Sequence, residues 1–332
     1  MIGTILVVID MIYFKNSFST TIPLQKFLYT LRTKRGLRQL MKTNSLIFLF
    51  GTIVAVIICL AIFAEFVSPY DPLVQDIASR LKAPGQEFLF GSDNFGRDVF
   101  SRVIHGSRSS LYIAITSVIA GTFFGTIIGT LSAYRGGRID LVLQRGIDTL
   151  LGFPSLILAV FLVVTLGASA NTLIIALAVA LIPQIARLSR SHALSIKEED
   201  FVIVAKTIGA QPMSIIFKHI LPHTFGPIIA YAAGYVSVAI VAESALSFLG
   251  LGIPPPYPSL GGMLQEGRLY MEVAPWITIF PGIILSITAF SFALLGDTLR
   301  DIFDPKDRFY TGSFFPLITK SNRKRKRYSQ YY

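Results

Sequence analysis

Cysteine is almost missing from this chain: Cys59 stands alone among 332 residues. That excludes an internal disulfide framework and any multi-cysteine metal cluster. Histidine is scarce too, four in all, and leaves little material for a metal site. Charge is thin, with 15% Asp, Glu, Lys and Arg, where a soluble domain carries roughly a quarter. Acids are fewer than bases, 19 against 30, for a net charge of +11. The phosphate-cradling pattern GxxxxGK[ST] occurs nowhere, so an energy source in nucleotide would have to sit on a partner. No nucleophile–base pair, carboxylate dyad or zinc spacing stands out, and the chain is read as a non-enzyme with no cofactor. What the sequence does hold is apolar surface: 52% hydrophobic residues and a mean hydropathy of +0.62. That excludes a disordered chain and points to an all-α polytopic membrane protein.

Crossing the hydrocarbon core takes about 20 apolar residues in a helix. Uncharged stretches run over 46–64, 111–134, 224–242 and 273–296. A fifth stretch, between Asp148 and Arg187, is long enough for two spans, with a turn marked by Gly167, Ser169 and Asn171. The expected count is six. Lys and Arg in the short loops set the orientation. The segment before the first span carries Lys15, Lys26, Arg32, Lys34, Arg35, Arg38 and Lys42, and residues 11–44 hold no acid. The loop after span two carries Arg135, Arg138 and Arg145; the loop after span four carries Arg187, Arg190, Lys197, Lys206 and Lys218. Both termini are therefore expected in the cytoplasm, and 68–110 and 244–272 outside.

The division expected is a basic cytoplasmic extension over 1–44, a transmembrane domain over 45–305 with a long cytoplasmic loop at 191–222, and a basic tail over 306–332. The apolar start, MIGTILVVIDMIYF, lacks the basic n-region and small-residue cleavage site of a signal peptide. It reads as an interfacial extension, or as leader to a later start at Met11 or Met41. The pentabasic run Arg323–Arg327 suits anionic membrane lipids. The segment has no aromatic pattern of a nucleic-acid reader, so no nucleic-acid partner is expected.

The long loop, SHALSIKEEDFVIVAKTIGAQPMSIIFKHILPH over 191–223, carries the most information. Phe201, Val204, Ala205 and Ile208 recur at i, i+3, i+4 and i+7, one face of a helix. Glu198, Glu199 and Asp200 lie at its start, where the helix dipole favours negative charge. Gly209 follows as a C′ glycine, and Ala210 continues into Gln211-Pro212, with proline at a first helical position. Ile215, Ile216, His219 and Ile220 form the next apolar face, and Pro222 is expected to close it. Two short amphipathic helices joined at a glycine fit either a loop on the membrane surface or a helix seated in a groove of a cytoplasmic partner. His219 and His223 are i,i+4, but they read as core or interface residues rather than ligands.

This loop resembles the EAA loop of ABC importer permeases: Glu-Ala-Ala, three residues, Gly, nine residues, an apolar position, one residue, Leu-Pro. Ala205, Gly209, Leu221 and Pro222 match at that spacing. Ile203 and Val204 stand in place of Glu and the first Ala, and His219 occupies the apolar position, which leaves the polar contact of the Glu position open. FGSDNFGRDVFSRVIHGSRSSL (90–111), AYRGGRIDLVLQRGIDTLLGFPSLILA (133–159), ALSFLGLGIPPPYPSLGGML (245–264) and FPGIILSITAFSFALLGDTLRDIFDP (280–305) are similar to the dipeptide, oligopeptide and nickel branch, C-type subunit. The likeness covers roughly 45–305, in order.

The resemblance implies a type I ABC importer permease fold of six transmembrane helices. It implies an inner-membrane subunit that forms a pore for di- or oligopeptides with a second permease. Two cytoplasmic ATPases and an extracytoplasmic peptide-binding protein would complete the assembly. The coupling residues are then Phe201, Ala205, Gly209, Ala210, Ile220, Leu221 and Pro222. Nickel is the alternative cargo of the same fold. A secondary transporter or channel would want an intramembrane ion relay, of which the spans are nearly bare. A membrane scaffold would leave uptake indifferent to the loop.

On the outer side, Gly96, Arg97, Asp98 and Arg102 form a structural motif. Arg97 and Asp98 are expected either to pair or to cap the helix into span two. Gly121, Gly125 and Gly129 make a small-xxx-small ridge for helix packing. Glu243, at the outer end of span five, reads equally as a buried functional acid and as a solvated one. Pro154, Pro183, Pro275 and Pro281 are placed to kink spans.

Overall fold

The computed structural model describes the backbone of residues 45–303 and the side chains of 48–300. The expected basic extension and tail lie outside the described residues. Within them the chain is helical, in the order α1 (Ser45–Ile62), α2 (Ala64–Val67), α3 (Val99–Arg135), α4 (Gly137–Leu151), α5 (Ser155–Leu166), α6 (Ala170–Lys197), α7 (Asp200–Thr207), α8 (Pro212–Ile215), α9 (Leu221–Phe248), α10 (Leu260–Gly267) and α11 (Trp276–Phe303).

Four helical stretches are long and apolar enough to cross a membrane: α3, α6, the run from α8 through α9, and α11. The second, fourth, fifth and sixth spans expected from the sequence fall on α3, α6, α9 and α11. Two others depart. α1 is the shorter apolar helix. The expected third span is broken: α4 and α5 meet at 87° across Gly152–Pro154. α5 has 12 residues, about 18 Å at 1.5 Å per residue, short of a roughly 30 Å core by itself. The cause is local. Pro154 has no N–H to continue the helix and stands at the N-cap of α5. Pro275 likewise precedes α11, whereas Pro183 and Pro281 lie inside helices.

α3 is the spine. Its 37 residues extend about 55 Å, well beyond a span, and its first turns stand among the segments around 68–98 and 260–277. Asp98 starts it by accepting from the Ser101 N–H at 2.8 Å and the Ser101 hydroxyl at 2.6 Å, an N-cap of the strongly preferred kind. α6 packs along it. A Cβ on Gly125 would stand 2.8 Å from the Ile185 Cβ and 2.9 Å from the Ile182 carbonyl oxygen; one on Gly121 would meet the Ala178 carbonyl oxygen at 3.0 Å. The glycine ridge thus serves a contact within the chain, and only glycine lets the two backbones come so close.

The interior runs as linked clusters. Val54, Leu111, Leu181, Ile185, Val236, Ile240 and Phe292 join α1, α3, α6, α9 and α11. Ile113, Ala159, Val163, Leu173 and Leu246 join α5 to the same spine. Val99, Val103, Leu260, Met263, Ala274 and Ile277 hold a cap around α10. Ala133, Ala193, Val202, Ala205, Ile215 and Ile220 form a fourth cluster at the opposite end.

Candidate functional site

The loop between α6 and α9 is built from its caps inward. α6 ends at Lys197, whose Nζ donates to the Ala133 and Tyr134 carbonyls at the end of α3, at 3.0 and 3.1 Å. That satisfies carbonyls a helix end leaves without partners. After Glu198 and Glu199, α7 runs over Asp200–Thr207, close to the helix expected at 201–209. It closes as a Schellman motif: Ala210 N–H donates to Ala205 O and Gly209 N–H to Lys206 O, both at 3.0 Å, with Gly209 at φ +82°. A Cβ there would meet nothing within 4 Å, so the glycine answers to backbone conformation rather than to space.

The face expected on α7 is divided. Val202 and Ala205 point inward, at 0% and 6% exposure, onto Ala133, Ala193, Ile215 and Ile220. Val204 and Ile208 point away, at 58% and 77%, and Ile203 and Phe201 are exposed beside them. Ala205 is therefore part of the chain's own packing, and grouping it with Val204 and Ile208 on one docking face is corrected. The heptad-like spacing gave the stripe correctly, but a helix packed on one side and open on the other divides it. Ile203, where the family pattern has Glu, lies on the open side.

Pro222 does not close the second helix. α8 opens with Pro212 at its first position as expected, passes through a π-helical turn over Ile216–Ile220, and runs on as α9. In a regular α-helix the Pro222 ring would clash with the carbonyl four residues back, Lys218. The wider turn moves the Leu221 N–H to the Ile216 carbonyl and lets the helix continue. Ile215, Ile216 and Ile220 are buried there. His223 Nδ1 lies 2.6 Å from the His219 carbonyl oxygen, and the Phe201 ring stacks on the His223 imidazole at 4.8 Å.

At the opposite end of α3, Gly96, Arg97, Asp98 and Arg102 come together, but Arg97 and Asp98 do not pair with each other. Asp98 is the cap of α3. Arg97 reaches Asp93 at 2.6 Å and Glu266 at 2.9 Å; Arg102 reaches the same Glu266 oxygen at 3.0 Å and Asp93 at 3.4 Å. Both guanidinium groups and Asp93 are buried, as charges must be paired to be. Gly96, at φ +74°, folds tightly over the Asp76 backbone. Nearby, the Ser79 hydroxyl and then the Ala78 N–H hold the Asp76 carboxyl below its ordinary pKa. Glu266 had no sequence signal: it lies 169 residues from Arg97.

Glu243 is buried rather than solvated. Ser247 donates to it at 2.8 Å and Ser244 at 3.3 Å, and the Ser110 hydroxyl lies close enough to contribute to its electrostatics. The Ser110 hydroxyl in turn accepts from Leu260 N–H at 3.3 Å. The acid thereby joins α9, α3 and α10. Near the other end of α9, a cleft of about 270 Å³ opens beside α11, lined by Tyr231, Tyr235, Asp297 and Arg300 among others.

Residues 121–308 match the model of the family described as binding-protein-dependent transport system inner membrane component. Residues 34–84 match the N-terminal TM domain of oligopeptide transport permease C. A putative peptide transport system permease protein of Brucella suis biovar 1 is 41% identical over 271 residues, 81% of this chain and 90% of that protein. The dipeptide transport system permease protein DppC of Alkalihalophilus pseudofirmus is 39% identical over 266 residues, 80% and 88% of the two chains. The glutathione transport system permease protein GsiD of Pectobacterium atrosepticum is 38% identical over 257 residues, 77% and 85%. Among solved structures, an inward-facing conformation of the MetNI methionine ABC transporter superposes with a TM-score of 0.50 at 20% identity, over 60% of this chain and 96% of that one.

Proposed function

The chain belongs to the family of binding-protein-dependent transport system inner membrane components, and on that premise we propose that it forms the membrane pore of an ATP-driven importer of di- or oligopeptides together with a second, homologous permease. Two cytoplasmic ATPases hydrolyse the ATP, and an extracytoplasmic binding protein delivers the peptide. The chain lies in the inner membrane with both termini in the cytoplasm, its permease domain over 45–305 between a basic extension and a basic tail. The names of the relatives support peptide as the cargo.

The observation that carries the reading is the division of α7. A short, tightly capped helix packed by Val202 and Ala205 against the ends of α3 and α6 presents Phe201, Val204 and Ile208 outward. An apolar helix face held on a rigid base suits a groove on another protein. ATP-driven closure of the ATPases would then carry α7, and α6 and α9 with it, biasing a two-state pore. Phe201, Gly209, Ala210, Ile220, Leu221 and Pro222 shape and hold this element, and Ala205 anchors it. The outer motif of Gly96, Arg97, Asp98 and Arg102 is structural, bracing the cap on α3.

The test is uptake of a labelled dipeptide, with ATPase activity measured in parallel, in membranes carrying V204D/I208D. Loss of uptake with ATP hydrolysis no longer stimulated by binding protein and peptide is expected, with the chain still present in the membrane. Unchanged uptake would sink the coupling reading. Uptake driven without any ATPase would favour a secondary transporter.

A further inference from the structure

The amphipathic helix α4 has one edge fully used and the other bare. It leaves α3 through Gly136 and Gly137, at φ +63° and +54°, a reversal that residues with a Cβ adopt only with strain. Its inner edge is fastened to α6. Asp140 takes the Arg190 guanidinium on both oxygens, at 2.8 and 2.6 Å, and the Ser132 hydroxyl as well. Gln144 donates to Ser132 at 2.8 Å. Asp148 pairs with Arg187 at 2.7 Å, and Ile147 is buried. Both acids of the helix are thus held by α6.

The outer edge has no such partners. Leu141 and Val142 are 61% and 67% exposed, and Ile139 is exposed with them. Among them stand Arg138 and Arg145, with Arg135 just before the helix, all exposed. None of these three guanidinium groups has an ion pair among the described residues. Apolar and cationic side chains therefore share one open edge, and no acid offsets the cations.

We propose that α4 lies along the membrane surface, its Ile139, Leu141 and Val142 edge in the headgroup region and Arg135, Arg138 and Arg145 on anionic phospholipid headgroups. Three observations select this occupant. Composition is the first: apolar residues flanked by bare arginines are the pattern of an interfacial helix. Geometry is the second: α4 turns 87° into α5, so a helix beside an apolar segment that enters the bilayer lies across it. The neighbouring segment is the third: Phe153, just before α5, and Ile157 and Phe161 within it are exposed as well, so the helix that follows α4 also offers apolar side chains to a bilayer. Charge complementarity then asks for anions, and a bilayer surface supplies them in a row.

The consequence bears on coupling. α4 is pinned to α6 by two ion pairs, and α6 leads two residues later into α7. A helix gripped by headgroups would act as the fixed point against which α6 and the loop move. Which leaflet is involved rests on the cytoplasmic placement proposed above; the contact itself does not.

The test uses the full-length chain with Cys59, which is exposed, replaced by Ser, and a spin label on V142C. The purified protein goes into nanodiscs of phosphatidylcholine alone or with phosphatidylglycerol. The expected result is a label reached by oxygen and shielded from a polar nickel complex when phosphatidylglycerol is present. Adding R135Q/R138Q/R145Q should open the label to nickel and lower the co-purifying phosphatidylglycerol by roughly twofold or more. A label open to nickel in both lipids would overturn the proposal. So would a label shielded from both reagents in the assembled complex, because a protein would then cover the edge. Separately, G146C, at an exposed position with open space, is treated with an impermeant thiol reagent on whole cells and on inverted vesicles. Reaction in the vesicles alone is expected. Reaction in whole cells would overturn the topology while the depth measurement still decides the lipid contact.

Discussion

Phe201 lies flat on the imidazole of His223, ring centroids 4.8 Å apart and 28° from parallel. One is the second residue of α7 and the other the third of α9, so the contact closes the loop on itself across the π-helical turn. Sequence spacing placed Phe201 on a docking stripe, but half of its role is to hold α7 to α9. Phe201→Ala is expected to remove a stacking contact worth on the order of 1 kcal/mol and to loosen α7. Uptake should fall several-fold while the protein remains in the membrane, whereas Phe201→Tyr retains most of it. Equal uptake for Ala and Tyr would show that the stacking carries nothing.

Gly209 separates conformation from space. Its φ of +82° makes Gly209→Ala strained by about 1 kcal/mol, although no atom stands in the way. Gly209→Pro should be much worse, since it also removes the N–H that donates to Lys206. Limited proteolysis of the loop in membranes should follow the order Gly, Ala, Pro. An alanine variant cut as fast as the proline one would contradict the cap.

The outer cap depends on its charge pairs. Arg97→Met leaves Asp93 buried with one fewer partner, and breaking a buried pair costs about 3–5 kcal/mol. A drop in melting temperature of the purified chain is expected, larger than for Arg108→Met, whose pair with Glu65 is exposed and contributes about 0–1 kcal/mol. Similar melting shifts for the two would refute the network.

The α3–α6 seam admits no extra volume. Gly125→Leu is expected to push the helices apart at a cost of at least about 1–3 kcal/mol, and a disulfide-free thermal assay of the purified chain would register it. Gly146→Leu, where a Cβ meets nothing within 4 Å, should be silent in the same assay. Equal melting of both variants would mean that the seam is looser than drawn.

The sequence disclosed what repeats or punctuates. Apolar runs located the long helices, Gly209 and Pro212 marked the loop's two turns, and the glycines at spacing four announced a close seam. What it hid was relational. The cap on α3 was one of the two readings offered for Arg97 and Asp98, and Asp98 fills it; Arg97's own partners were not legible, and Glu266 enters only because α10 folds back onto α3. The break at Gly152–Pro154 was marked by Pro154, but its 87° angle was invisible to hydropathy, which reads an uncharged run as one length and carries no direction. Pro222 misled for a different reason: a proline stops a regular α-helix, but a turn with one extra residue accommodates it. The division of α7 needed the packing partners, Ala133 and Ala193, which belong to other helices.

α3 contains no proline, and its two ends hold different company. At one end Ala133 touches the cluster that seats α7; at the other Arg102 grips Glu266 and the outer cap. A continuous helix of that length, clamped along its side to α6 and without a proline to kink it, has few places to absorb a displacement. Under the coupling proposed above, a tilt of the loop would reach the opposite end of α3 as motion of the cap, without a relay of intermediate side chains. In that coupling the helix would serve as a pushrod, and its stiffness would set how much of a shove at one end reaches the other.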